Sequence, residues 1–471
     1  MPGISSTEIT RIFSAQKEFQ KQLRLTDYKV RKEKLKKLMN SVYTRSRDIE
    51  EALFKDFRKS SSEARLIEIY NLIKEIKHTI KHLKEWMKPE EVYPPITFLG
   101  SSNKILFEPK GVVLIISPWN YPFLLALNPL VSAIAAGNCA VLKPSGKTPH
   151  TSALIKDIIS NLFEEKEVAV FEGGGKIAGM LLEHKFDHIF FTGGIEVGRS
   201  VMKSASENVT SITLELGGKS PAIIDRGADL HDAAQNIVWG KFLNSGQTCV
   251  APDYILVHDD NEEELLKHLK NSVEKFYGTD ISAGNSPDLC EIIDIKHAKR
   301  IKTLVKDAVK AGAEIKIGNE NNHKGNFISP IVLRNILPGM QLMQEEIFGP
   351  VLPLVTYKTE EDIYDVITRN PNPLAMYVFS KSKKFINRMV STIPAGGVTA
   401  NGIAVHFANP NLPFGGINNS GTGKYHGYYG FKEFSNQKAY MKLPKWNILK
   451  LLYPPYTKNV KRIIDLAVKY F

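Results

Sequence analysis

From residue 7 to about 88, apolar positions recur at helical spacing among mixed charges: Leu23, Tyr28, Val30, Leu35, Leu38 and Met39, then Ile49, Leu53 and Phe57. That period predicts long amphipathic helices whose apolar stripes need another surface to cover them. Pro89, Pro94 and Pro95 interrupt the pattern, and a short stretch of strand character ends at Pro109-Lys110-Gly111. An extension leaving the main body between about 90 and 110 accounts for both.

The period then changes. Residues 111–117 are a continuous, β-branched apolar run ended by proline, as a strand buried on both faces requires. A helix of small and apolar residues over 124–136 and a strand over 139–143 follow. A second round has a helix near 149–163, a strand at 168–171, a helix near 176–183 and a strand at 188–191. Strand and helix alternating at this interval predict parallel β–α–β units, a doubly wound dinucleotide fold of the α/β class. After Lys219-Ser220-Pro221 a second such unit begins. It has strands at 222–225, 254–257, 351–355, 375–379 and 397–401, and helices near 230–243, 261–315 and 359–369. Two doubly wound parallel-sheet domains are therefore expected.

A chain of 471 residues exceeds one ordinary core, and 43% hydrophobic with 24% charged content is that of a folded globular protein. Cys139, Cys249 and Cys290 make neither a disulfide framework nor a metal-ligand spacing, so no metal is expected and a reducing compartment fits. The polar, lysine-rich N-terminus lacks a signal-peptide core, and no run of about 20 apolar residues could span a bilayer, so a cytoplasmic location is expected. The net charge of +12 lies along helical faces such as 17–37, without the aromatic residues of a base-stacking platform. It reads as a solvated face, and nucleic acid is not an expected partner.

Cys249 draws attention through its lead-in, Asn244-Ser245-Gly246-Gln247-Thr248, small and polar enough to leave a thiolate access and hydrogen-bond donors. A lone cysteine is otherwise a buried small hydrophobe. Glu215, at a strand end between Leu214 and Leu216, has an apolar setting that would raise its pKa, although a salt-bridged glutamate would fit there too. Polar clusters at 117–120, 143–147 and 192–198 fall at the carboxyl ends of strands, where ligands of such sheets sit. In the last, Gly193-Gly194-Ile195-Glu196-Val197-Gly198 follows a strand and opens a helix, so its N–H groups can face a pyrophosphate. Turn formation alone would also explain these glycines.

Together with Pro118-Trp119-Asn120-Tyr121-Pro122, Leu142-Lys143-Pro144-Ser145, Phe191-Thr192-Gly193-Gly194 and Glu345-Glu346-Ile347-Phe348-Gly349-Pro350, these runs resemble the aldehyde dehydrogenase superfamily in its usual chain order, over nearly the whole chain. Residues 247–254 and 412–421 are most similar to its class 3 branch, the fatty and aromatic aldehyde dehydrogenases. The resemblance implies oxidation of medium- or long-chain aliphatic or aromatic aldehydes to carboxylates with NAD or NADP. Cys249 would attack the aldehyde, Asn120 and the Cys249 backbone N–H would donate to the oxyanion, and Glu215 would activate the water that opens the resulting thioester.

On the cofactor side the resemblance puts Lys143 on the adenosine ribose, Glu346 on the nicotinamide ribose and Phe348 beside the nicotinamide ring. Ser117, Trp119, Gly193, Gly194, Gly198 and Leu216 complete the implied set. Two positions depart from the pattern: Ile195 replaces the threonine of G-x-T-x-x-G, and Gly146 stands where NAD-strict members carry a glutamate that repels a 2′-phosphate. Acceptance of NADP is therefore expected.

The resemblance further implies a homodimer. The domain scheme is 1–90 and 108–216 for the cofactor, 217–420 for catalysis, 91–107 and 421–445 joining subunits, and 446–471 as an amphipathic tail. Residues 445–471 carry six basic residues against one acidic, and Val460, Ile463, Ile464, Ala467, Val468 and Phe471 form one helical stripe. Such a tail would dock on the substrate entrance or the dimer partner, or lie as a peripheral contact on an anionic membrane.

Two rival readings keep the scaffold. Acyl transfer to coenzyme A is disfavoured by Glu215, which enzymes of that kind lack. A thiol hydrolase or silent binding protein would want an imidazole against Cys249, and His406 is the only tempting candidate.

Overall fold

The computed structural model describes residues 4–279, 286–319 and 325–470. Residue 471, the last of the tail stripe, lies outside them, as do residues 1–3 and part of the helical stretch expected over 261–315.

Two sheets organise the chain. Six strands run in the order Gly421–Thr422, Ser211–Glu215, His188–Thr192, Val112–Ile116, Cys139–Lys143 and Val168–Val170, parallel except for the first. Seven strands form the second: Glu314–Ile317, Ile331–Arg334, Val351–Tyr357, Tyr254–His258, Pro221–Ile224, Ala375–Phe379 and Gly397–Ala400, with only the first pair antiparallel. The fold is thus α/β with two doubly wound parallel sheets.

Side-chain alternation explains why Val112–Ile116 is apolar throughout. Val113 and Ile115 pack on the side of helix Pro122–Ala136, whereas Val112, Leu114 and Ile116 join Ile9 and Ile12 of helix Ser6–Leu23. Pro122–Ala136 is itself buried almost all round, which its lack of charge permits. Tyr28–Thr44 and Tyr70–Trp86, two of the predicted amphipathic helices, cover it from outside.

A third, antiparallel sheet pairs Ser102–Pro109 with Glu90–Val92 and with Ser435–Lys442, leaving Tyr93, Leu99 and Trp446 exposed. The expected return segment starts later than 421. Gly421, at φ +145° with no room for a Cβ against the Leu214 carbonyl, pairs with Glu215 at the edge of the six-stranded sheet. Helix Gly427–Glu433 then packs on Pro122–Ala136. Only residues from 435 onward leave the body.

The tail does form a helix, Lys458–Tyr470, which packs on the 3-10 turn Ile448–Leu452. Val460, Ile463, Ile464 and Ala467 are half-buried and Val468 is exposed. Among the described residues, none of the tail lines a cavity beside Cys249. Among the described residues no helix is long and apolar enough to cross a membrane.

Candidate active site

Cys249 follows a turn that the backbone makes at some cost. Asn244, Ser245 and Gly246 occupy left-handed conformations in succession (φ 54°, 49° and 74°), a non-glycine residue there costing about 1–3 kcal/mol. The lead-in expected to leave space is instead the scaffold that offsets this cost. Asn244 Nδ2 donates to the carbonyls of Asn120 (2.9 Å) and Gln247 (3.1 Å), and Ser245 Oγ donates to that of Cys290 (2.6 Å). Gln247 Nε2 donates to the carbonyl of Asn244 at 3.0 Å. These side chains are fully buried, whereas Cys249 is partly accessible.

The thiol stands where two cavities meet, an apolar one of about 80 Å³ and a more polar cleft of about 260 Å³. Burial pushes its pKa up to about 12, helped by the charges of Glu346 and Glu215 and opposed by the backbone amides of Cys249 and Val250. At neutral pH it is a thiol until something takes its proton.

Glu215 ends strand Ser211–Glu215 and opens onto the same polar cleft. It is buried, and neither carboxylate oxygen has a hydrogen-bond partner among the described residues. Burial holds its pKa well above the ordinary carboxylate range, with Glu433 adding to the rise and Lys424 opposing it. The Lys424 ammonium itself donates to the Gly415 and Gly416 carbonyls. The salt-bridged alternative for Glu215 therefore does not apply. Asn120 lines this cleft too, its Nδ2 donating to the Gln247 carbonyl at 3.0 Å.

Trp119, Gly193, Gly194, Leu216, Glu346 and Phe348 complete much of the wall. Phe348, at φ 51°, sets its ring edge-on to Trp119, with centroids 5.3 Å apart. Glu346 is pushed up to about 8 by burial and by Asp253. Its segment is clamped by Lys219 Nζ, which donates to the Leu342 (2.7 Å) and Glu345 (3.0 Å) carbonyls, and by Arg300, which donates to the Glu346 carbonyl at 3.3 Å.

The chain ends of the six-stranded sheet fit a dinucleotide. Gly194 precedes helix Ile195–Glu207 without a side-chain cap, and a Cβ built on it would meet nothing within 4 Å. Ser117 Oγ and Thr192 Oγ1 are buried without partners, and the Lys143 ammonium has none among the described residues. Four implied cofactor residues, Ser117, Lys143, Gly146 and Gly198, are not on the wall around Cys249. A Cβ on Gly198 would lie 2.6 Å from Leu216 Cδ2, so this glycine lets helix Ile195–Glu207 pack closely on Leu216. At Gly146 a Cβ would lie 2.8 Å from the Gly173 carbonyl group. Lys147 is committed to Asp294 at 2.9 Å.

Sequence reasoning missed His297 and Arg300, which face the cleft from helix Ile295–Lys310. They sit in a lysine-rich helix that reads as surface, with no local signal to mark them. It also missed His426. His406 bonds Thr399 Oγ1 at 2.9 Å and stacks on Phe414, outside both cavities, whereas His426 lines the apolar one with Trp239, Phe407 and Phe414. Burial lowers His406 to about 4 and His426 to about 3, so both are neutral at pH 7, and His406 lines neither cavity at Cys249.

Paired doubly wound sheets, a thiol and a carboxyl on one cleft and a dinucleotide cradle beside them define a nicotinamide-dependent oxidoreductase. Residues 1–440 match the Aldehyde dehydrogenase family. A putative aldehyde dehydrogenase AldX of Bacillus subtilis is 42% identical over 92% of this chain and 97% of its own. Aldehyde dehydrogenase family 3 member A2 of Rattus norvegicus is 39% identical over 91% and 88%. The solved substrate-bound state of Staphylococcus aureus AldH superposes with a TM-score of 0.92 at 39% identity, covering 98% of this chain and 99% of that one. The chain belongs to the aldehyde dehydrogenase family, and within it resembles the class 3 branch. It is an enzyme that oxidises aldehydes with NAD or NADP.

Proposed function

We propose that Cys249 is the nucleophile, Asn120 the oxyanion donor and Glu215 the general base of this oxidation. The Cys249 thiol adds to the aldehyde carbon as its proton passes to solvent water, giving a thiohemiacetal anion whose oxygen the Asn120 carboxamide and the Cys249 backbone N–H would meet. A nicotinamide, when bound, would supply the hydride acceptor for this chemistry, and Glu346 and Phe348, on the wall of the same cleft as Cys249, would hold it. Glu215 takes a proton from the water that opens the thioester, releasing the carboxylate and the thiol. A partly accessible thiol and a carboxyl with two free oxygens on one cleft carry this reading.

The test is a single turnover of Glu215→Gln. A burst of reduced nicotinamide with arrested steady state is expected, and full steady-state activity would overturn the assignment. Acyl transfer to coenzyme A finds no support beside Glu215.

Medium- or long-chain aliphatic or aromatic aldehydes suit the apolar cavity that ends at the thiol. NADP acceptance rests on Gly146, which presents no carboxylate to a 2′-phosphate; an NAD preference above about a hundredfold, roughly 2.7 kcal/mol, would exclude it. The same reading makes the protein a cytoplasmic homodimer joined through the projecting three-stranded sheet. Its basic tail would rest on the partner subunit or on an anionic lipid surface.

A further inference from the structure

The turn that brings Asn120 into the cleft is held from behind by two charges that line neither cavity. Lys59 follows helix Ser46–Phe57, and Glu68 lies in the π-helical turn Ala64–Ile69, a local widening frequent at functional places. Both side chains are fully buried, and Lys59 Nζ stands 2.6 Å from Glu68 Oε1.

Each partner also grips one end of the turn. Lys59 Nζ donates to the Asn120 carbonyl at 3.1 Å and lies 4.1 Å from the centroid of the Tyr121 ring. The second oxygen of Glu68 accepts the N–H groups of Phe123 (2.9 Å) and Leu124 (3.2 Å), in the first turn of helix Pro122–Ala136. Asn244 Nδ2 takes the other lone pair of the Asn120 carbonyl. Between these grips the backbone of Asn120 is fixed, and from it the carboxamide reaches the Gln247 carbonyl, to which its Nδ2 donates at 3.0 Å. Tyr121 Oη, 2.6 Å from Thr248 Oγ1, ties the same turn to the residue before the thiol.

A buried ion pair is seldom more stable than an apolar pair of equal size. Its presence here answers a demand for geometry. We infer that Lys59 and Glu68 are positioning residues for the oxidation, holding Asn120 so that its carboxamide meets the oxygen charge that forms beside Cys249. This rests on the roles proposed above for Asn120 and Cys249. Aldehyde turnover by the parent and its loss in Cys249→Ser test those roles separately.

Four variants test the pair: Lys59→Met, the charge-free double variant Lys59→Met with Glu68→Gln, Asn120→Ala, and that double variant combined with Asn120→Ala. Loss of one oxyanion donor costs about 10²–10³ in kcat, and a misplaced one should cost about tenfold or more. The double variant is expected to lose at least that much kcat. Its NAD(P) binding and the rate at which iodoacetamide alkylates Cys249 should stay within about twofold of the parent, since neither needs the oxyanion donor. Adding it to Asn120→Ala should cost no more than about another twofold. The inference is overturned if the double variant keeps kcat within about twofold of the parent, or if its loss multiplies with that of Asn120→Ala. It is also overturned if alkylation and cofactor binding fall in step with kcat. Where Lys59→Met alone does not fold, the double variant leaves no single buried charge behind and carries the test.

Discussion

Cys249 and Glu215 open onto one cleft, and the ionised carboxylate is among the charges that raise the pKa of the thiol. Removing that charge lowers the cost of forming a thiolate. At pH above the pKa of these carboxyls, where both are ionised, Glu215→Gln is therefore expected to speed alkylation of Cys249 by iodoacetamide, and Glu346→Gln should do the same. A rate equal to or below that of the parent in both variants would mean that the thiol does not feel these groups.

The raised pKa of Glu215 also fixes two pH signs. A protonated carboxyl cannot accept a proton from water, so steady-state turnover should rise with pH through the pKa of this group. That limb should vanish in Glu215→Gln along with about 10²–10⁴-fold of the hydrolytic rate.

Stability moves the other way. Between the ordinary value of 4.5 and its raised value in the fold, Glu215 keeps a proton that the unfolded chain has released, so its contribution weakens as pH climbs. The Tm of Glu215→Gln relative to the parent should accordingly grow as pH rises above about 4.5, read by thermal melts across pH.

Gly146 makes a cofactor switch by substitution impractical. A Cβ there lies 2.8 Å from the backbone of Gly173 and 3.1 Å from the Gly174 nitrogen, neither of which is a side chain that can swing aside. Gly146→Glu is expected to lower kcat/KM for NAD and NADP together, by about tenfold or more, and not to create NAD selectivity. Parallel assays with both cofactors would expose a selective loss of NADP.

Ala408 lines the apolar cavity at a position not fully buried, so a larger side chain there narrows the path without displacing core packing. Ala408→Trp should reduce kcat/KM for long-chain aldehydes while short ones are spared. An aldehyde panel of rising chain length, in which a uniform loss would count against this path, checks it.

For the tail, deleting 446–471 is expected to leave aldehyde turnover in place, because none of its described residues lines either cavity. Sedimentation with anionic vesicles, parent against deletion, separates lipid contact from packing on the partner subunit, which leaves vesicle recovery unchanged.

Much of this enzyme is legible in its amino-acid sequence. The switch from helical period to unbroken β-branched runs at residue 111 announces strands covered on both faces, because such a strand has no solvated side on which to place polar residues. The runs around Asn120, Glu215, Cys249 and Glu346 mark one family, since each sits where a strand or helix ends and few residue types satisfy both the turn and the chemistry. What tertiary structure alone decided is which groups meet. Lys59 and Glu68 behind Asn120, Arg300 over the segment of Glu346, Lys424 near Glu215 and His426 in place of His406 come from distant parts of the chain. Periodicity records that a residue is covered and not what covers it, so a buried lysine and a solvated one look alike in sequence. The left-handed turn before Cys249 is the same case: its polar residues suggest open space, and packing turns them into the struts that hold the sulfur in place.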